Sequence, residues 1–118
     1  MADTNVEYYY FTGRPQDIIS SVLRSISANT RKDRVRYFKI GITNGPERRF
    51  RQAYVTNYDK MLVIYRSTSL KFVSELECEL IEHNKDLADN IIGGGGGNYG
   101  DPPYFMYVVI KYKKVKIS

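Results

Sequence analysis

Apolar periodicity along this chain switches back and forth between two residues and roughly 3.6, which commits the chain to a mixed α+β fold. Val6-Glu7-Tyr8-Tyr9-Tyr10-Phe11 is aromatic and β-rich and stops at Gly13-Arg14-Pro15, predicting a first strand and a turn. From Gln16 to about Ala28, the residues Ile18, Ile19, Val22, Leu23 and Ile26 recur at helical spacing. Val35 to Thr43 alternates. Phe38, Ile40 and Ile42 fall on one face and Tyr37, Lys39, Gly41 and Thr43 on the other, so this strand has a core face and a chemically rich face. Asn44-Gly45-Pro46-Glu47 then reads as a helix start, with a capping residue, a proline suited to the first turn and an early acid, and the helix runs to about Tyr54.

Met61 to Tyr65 is a short apolar run that predicts a buried strand, and Leu70 to about Lys85 is the longest helical pattern. Gly93 to Gly97, followed by Asn98, Gly100, Pro102 and Pro103, must be a loop. Tyr104 to about Tyr112 supplies a final strand. The order β-α-β-α-β-α-β predicts a small, mostly antiparallel sheet with helices packed over it, without deciding which strands pair.

A length of 118 residues allows one core, so residues 1–118 are expected to form one domain. No apolar run approaches the roughly 20 residues of a membrane span, and the polar start Met1-Ala2-Asp3-Thr4-Asn5 does not resemble a secretory signal. An intracellular protein of cytoplasm or nucleus, with no membrane partner, is expected. Cys78 is the only cysteine, which excludes an internal disulfide or a multi-thiolate zinc site, and its expected role is packing. His83, the sole histidine, excludes two-histidine metal motifs and is expected at the surface or its boundary. The net charge of +5 favours a polyanionic partner, although Lys111, Lys113, Lys114 and Lys116 read equally well as edge-strand lysines that discourage aggregation.

Two features carry chemistry. Val73, Leu76, Leu80 and Ile81 form the apolar stripe of the long helix, Glu75, Glu79 and Glu82 point away, and Glu77 lands inside the stripe. An unpaired buried carboxylate costs several kcal/mol, so Glu77 must pair with an arginine, reach water at the stripe edge, or ligate a divalent metal. The helix after the alternating strand supplies Arg48, Arg49 and Arg51. Phe50 and Tyr54 mark its packed face, and Arg49 lies beside that face, where a guanidinium could clamp a phosphate; a solvated basic face is the plainer reading.

Phe38-Lys39-Ile40-Gly41-Ile42-Thr43 followed by Glu47-Arg48-Arg49-Phe50 resembles the second motif and arginine helix of GIY-YIG nucleases. The matching arginine is Arg49, ten positions after Lys39. Leu76-Glu77 and Leu80-Ile81 resemble the family's metal-binding glutamate and its apolar neighbours, and Asp89-Asn90-Ile91-Ile92-Gly93-Gly94 its asparagine and glycine-rich turn, with Asn98 as a second choice. Tyr8-Tyr9-Tyr10-Phe11 resembles the strand of the first tyrosine, which selects Tyr9. In the family the two motifs share a hairpin, whereas here about thirty residues separate Tyr9 from Lys39. Lys39 itself stands where the second motif usually has a tyrosine, as in some divergent subfamilies.

The resemblance implies a GIY-YIG-like fold and metal-dependent endonuclease activity on nucleic acid, DNA before RNA. Glu77 would hold Mg²⁺ or Mn²⁺ and Arg49 would stabilise the transition state. Tyr9, with Tyr37 or Lys39, would orient or deprotonate the nucleophile, and Asn90 would position Tyr9 or the loop. Tyr37, Gly41, Arg48 and Arg51 would contact substrate, and specificity would come from this fold, from a partner or from a homodimer. Two alternatives stand beside it: a nucleic-acid-binding module on the same fold without cleavage, and a protein-interaction domain built on the eleven tyrosines.

Overall fold

A computed structural model of the chain describes residues 5–84 and 99–114. Their elements are β1 (Val6–Phe11), α1 (Pro15–Asn29), β2 (Val35–Thr43), α2 (Pro46–Arg49) continuing as a π-helical turn (Phe50–Tyr54), β3 (Lys60–Ser67), α3 (Leu70–His83) and β4 (Tyr104–Tyr112). The strands form one four-stranded sheet in the order β1-β3-β4-β2. β1 runs parallel to β3, while β4 is antiparallel to both β3 and β2, so the fold is α+β with a mixed, mostly antiparallel sheet. Among the described residues, no helix is long and apolar enough to cross a membrane.

The sheet buries both faces unequally, as its alternating side chains require. Phe38, Ile40 and Ile42 of β2 join Leu62, Ile64, Met106, Val108 and Ile110 in the larger core, closed by Val22 and Ile26 of α1 and Val73, Leu76 and Leu80 of α3. The opposite face packs Met61, Val63, Tyr107 and Val109 against Phe50 and Tyr54, with Val6, Tyr58 and Phe105 partly buried at its margin. This second layer is thin, so its edges leave side chains in reach of solvent. Ser69 caps α3, its Oγ accepting from the Phe72 amide at 3.1 Å, which fixes the helix start and so the depth of Glu77 about two turns later.

Four expectations need correction. The cap of α2 is Gly45, which offers no side-chain acceptor; Asn44 instead bridges to the distant segment at Asp101. The helix after β2 does not stay α-helical, since the Val55 amide donates to the Phe50 carbonyl at 3.0 Å, a five-residue step. Cys78 is exposed, because it follows the buried pair Leu76 and Glu77 and has turned past the stripe. β4 is an interior strand rather than an edge, so Lys111 does not guard a free edge; it lies 3.4 Å from Asp59.

Candidate functional site

The strand that pairs with β2 is β4, and Gly41 of β2 stands opposite Tyr107. The Tyr107 ring lies across this glycine. A Cβ at position 41 would come 2.5 Å from Tyr107 Cζ, which explains a glycine in the middle of an otherwise β-rich strand. Tyr107 is 1% exposed, and its hydroxyl meets that of Tyr54 at 2.6 Å, with the two rings edge to face. The π turn thus delivers a phenol from the helical layer onto a phenol of the sheet.

Arg49 closes this group from the solvent side. Its guanidinium carbon sits 5.5 Å from the centre of the Tyr54 ring. Hydrogen bonding to Tyr107 raises the pKa of Arg49, with burial opposing and Tyr54 contributing. Burial pushes the Tyr107 phenol up, Tyr54 adds to that, and Arg49 works against it. Both effects leave Tyr107 protonated at neutral pH and Arg49 charged, so the guanidinium is an exposed cation standing on two buried phenols.

Beside Arg49 opens a cleft of about 400 Å³, lined by Thr43, Asn44, Arg48, Arg49, Gln52 and Tyr99 among others. Its walls come from parts of the chain far apart in sequence. Asn44 Nδ2 donates to the Asp101 carbonyl at 3.1 Å, and its Oδ1 accepts from Arg48 at 2.6 Å, so one side chain ties the segment before β4 to α2. Gly100 has a φ of +79°, and a Cβ there would meet Asn44 Nδ2 at 2.6 Å; only glycine suits this crossing. The Gly45 amide donates to Thr43 Oγ1 at 3.0 Å, tightening the turn that aims α2 at the cleft.

Glu77 approaches from α3. It is 4% exposed and makes no ion pair among the described residues, and burial pushes its carboxyl from 4.5 up to about 7. It does not line the cleft itself. Tyr99, which lines the cleft, feels both groups: burial raises its phenol, the Glu77 charge raises it further and the Arg49 charge lowers it. Carboxylate and guanidinium therefore act on one phenol.

The site predicted from sequence is assembled in part. Arg48 and Arg49 line the cleft; Gly41 does not, because it is buried beneath the Tyr107 ring and offers no surface to a substrate, and Glu77 is buried on α3 away from the cleft lining. Tyr9 does not join them: it is 67% exposed on β1, which two strands separate from β2. Lys39 shares the face of Gly41 opposite Val109 and is half-buried. The Tyr37 hydroxyl donates to the Asn57 carbonyl at 3.1 Å, anchoring the loop after the π turn. Arg51 is exposed and does not line the cleft. Asn90, Asn98 and the run Gly93 to Gly97 lie outside the described residues.

Tyr107, Tyr54 and Tyr99 are the members that sequence reasoning passed over. A signal for Tyr107 existed: it is the one hydroxyl inside the run Met106 to Ile110, and a buried phenol needs a partner. Among the described residues there is no cluster of three or more metal-ligating His, Cys, Asp or Glu side chains. Mg²⁺ does not require such a cluster, since it binds through one or two carboxylates and otherwise keeps waters or takes substrate phosphates. A buried carboxylate without a cation, held above its ordinary pKa, is a donor that a divalent ion would stabilise. Comparison with protein-family models, curated proteins and solved structures gave no match for this chain.

Proposed function

We propose that this chain is a metal-dependent endonuclease that hydrolyses nucleic-acid phosphodiester bonds, DNA before RNA, at the cleft beside Arg49. The observation that carries the reading is the presence of Arg49 on the cleft, over the Tyr54 ring, together with the buried Glu77 carboxyl, which makes no ion pair among the described residues; both act on the Tyr99 phenol that lines the same cleft. They are a cation and a buried carboxyl that becomes charged when a divalent ion binds it, fixed on different elements.

In this reading Arg48 and Arg49 draw a backbone phosphate into the cleft. The Arg49 fork donates to the phosphate oxygens as they gain charge during attack by water. Tyr107 and Tyr54 never touch the substrate; they hold the guanidinium so that its donors need no reorganisation, which makes them positioning residues. Glu77 would hold Mg²⁺ or Mn²⁺, and the bound ion would lower the pKa of a water and offset charge on the phosphate. Gly41 supplies the space that Tyr107 occupies, and Tyr37 keeps the π turn in place through Asn57. Lys39 offers a cation on the same face for the flanking backbone. Tyr9 has no task here, since β4 and not β1 is the ladder partner of β2.

The test is nicking of supercoiled plasmid with Mg²⁺, with Mn²⁺ and with chelator, comparing the parent with Glu77→Ala. Metal-dependent nicking lost in the variant supports the reading. Salt-sensitive binding with no nicking by either protein would replace it with a module that grips nucleic acid without cutting.

A further inference from the structure

Tyr8 and Tyr10 of β1 lie on the face of the sheet that carries Phe105, across a register irregularity between Tyr8 and Phe11. Both rings meet Phe105 of β4 edge to face, with centroids 6.4 Å and 6.3 Å away. The contacts fix the rings without covering them, for Tyr8 is 40% exposed and Tyr10 43%. Tyr8 is steadied further by a hydrogen bond to Glu47 of α2, and burial with that carboxylate pushes its phenol up to about 12. Two half-exposed tyrosine rings, each in contact with Phe105, form a shelf rather than scattered apolar residues.

The shelf is continuous with the cleft. Phe105 stands opposite Thr43 across the β2–β4 ladder, and Thr43 lines the cleft with Arg48 and Arg49. On its other side Phe105 stands opposite Arg66 of β3, and residues directly opposite in a ladder share a face. Arg66 makes no ion pair among the described residues. Glu47 repels phosphates from the Tyr8 end, so ring faces are what this end of the surface offers, with cations on either side of it.

We propose that Tyr8 and Tyr10, backed by Phe105 and flanked by Arg66, stack unpaired nucleobases of the strand whose phosphate enters the Arg48–Arg49 cleft. The substrate class that follows is single-stranded nucleic acid, or a duplex with an unpaired end or flap, since a closed duplex hides its base faces in its own stack. This rests on the reading of the cleft as a phosphate site, and it adds which form of nucleic acid the cleft receives. Base stacking on aromatic side chains tolerates any sequence, so the shelf selects for strand state and not for sequence.

The experiment is binding in chelator, where cleavage cannot interfere, of three fluorescent probes of about 12 nucleotides: a single strand, the same backbone with abasic sites at every second position, and a blunt duplex. The parent is compared with Tyr8→Ala/Tyr10→Ala, whose fold is checked by circular dichroism and urea unfolding, and with Tyr10→Leu, which keeps apolar area and loses the ring. The parent should prefer the intact single strand over both other probes by about tenfold or more. Both variants should lose most of that preference while the salt dependence of binding, set by the arginines, stays unchanged. Equal binding of intact and abasic strands by the parent, preference retained in both variants, or no measurable single-strand binding would overturn the proposal. Because no step of this assay requires cleavage, a protein that binds in this way yet never nicks plasmid would sink the nuclease reading alone.

Discussion

The hydroxyl end of the Tyr107 ring lies over Gly41, its partner in the β2–β4 ladder, and occupies the volume that any side chain at position 41 would need. The ring cannot simply swing aside, because its hydroxyl is held by Tyr54 and it is 1% exposed. Gly41 is thus a requirement of the site as well as of the strand.

Gly41→Ala should therefore destabilise the fold by about 1–3 kcal/mol, the usual cost of overpacking a filled core. The same substitution in a Tyr107→Leu background should cost clearly less, because the clashing ring is gone. Urea unfolding of the four proteins measures the coupling. Additive losses would show that Gly41 serves something other than this close approach.

Arg49→Lys preserves the charge but not the planar fork that the proposed reading sets on a phosphate above the Tyr54 ring. Cleavage should fall about 100-fold, as expected when a transition-state donor is lost. The urea midpoint should hardly move, since the side chain is at the surface. A lysine variant that cuts as well as the parent would reduce Arg49 to a point charge.

Glu77 should make stability depend on pH in a stated direction. Its carboxyl is raised from 4.5 to about 7, so the folded protein keeps this proton after the unfolded chain has released it. The contribution is fully present below pH 4.5, declines as pH rises through about 7, and is level above that. Relative to Glu77→Gln, the parent in chelator should lose on the order of 1 kcal/mol between about pH 5 and pH 8. Adding Mg²⁺ at the higher pH should restore part of that loss in the parent only. A difference between the two proteins that is independent of pH and of metal would mean that the carboxylate meets neither a dry environment nor a cation.

The elements were legible because each is locally consistent: β2 and β4 match their predicted spans closely, and Glu77 inside the stripe of α3 is one of its buried residues. Arg49 was legible from Phe50 and Tyr54, which fix the buried side of its helix and leave the guanidinium beside it. Pairing was not legible. Periodicity says which face of a strand is buried but not which strand lies beside it, and the central place of β4 follows from a contact between residues about 66 positions apart, Gly41 and Tyr107. The resemblance of Tyr8-Tyr9-Tyr10-Phe11 to a first-motif strand selected Tyr9, while the phenol nearest Arg49 in the sheet comes from the last strand. The π turn was equally hidden, since Phe50 and Tyr54 satisfy a four-residue spacing as readily as the wider one found here.

The most direct test compares metal-dependent cleavage by the parent, Tyr9→Phe, Tyr107→Phe, Arg49→Ala and the Tyr107→Phe/Arg49→Ala double variant. Tyr9→Phe should cut like the parent, Tyr107→Phe should fall about tenfold or more, and Tyr107→Phe should cost nothing further once Arg49 is absent, because the phenol acts through the guanidinium. Loss of cleavage in Tyr9→Phe with Tyr107→Phe unaffected, or no cleavage by the parent with either metal, would contradict the account.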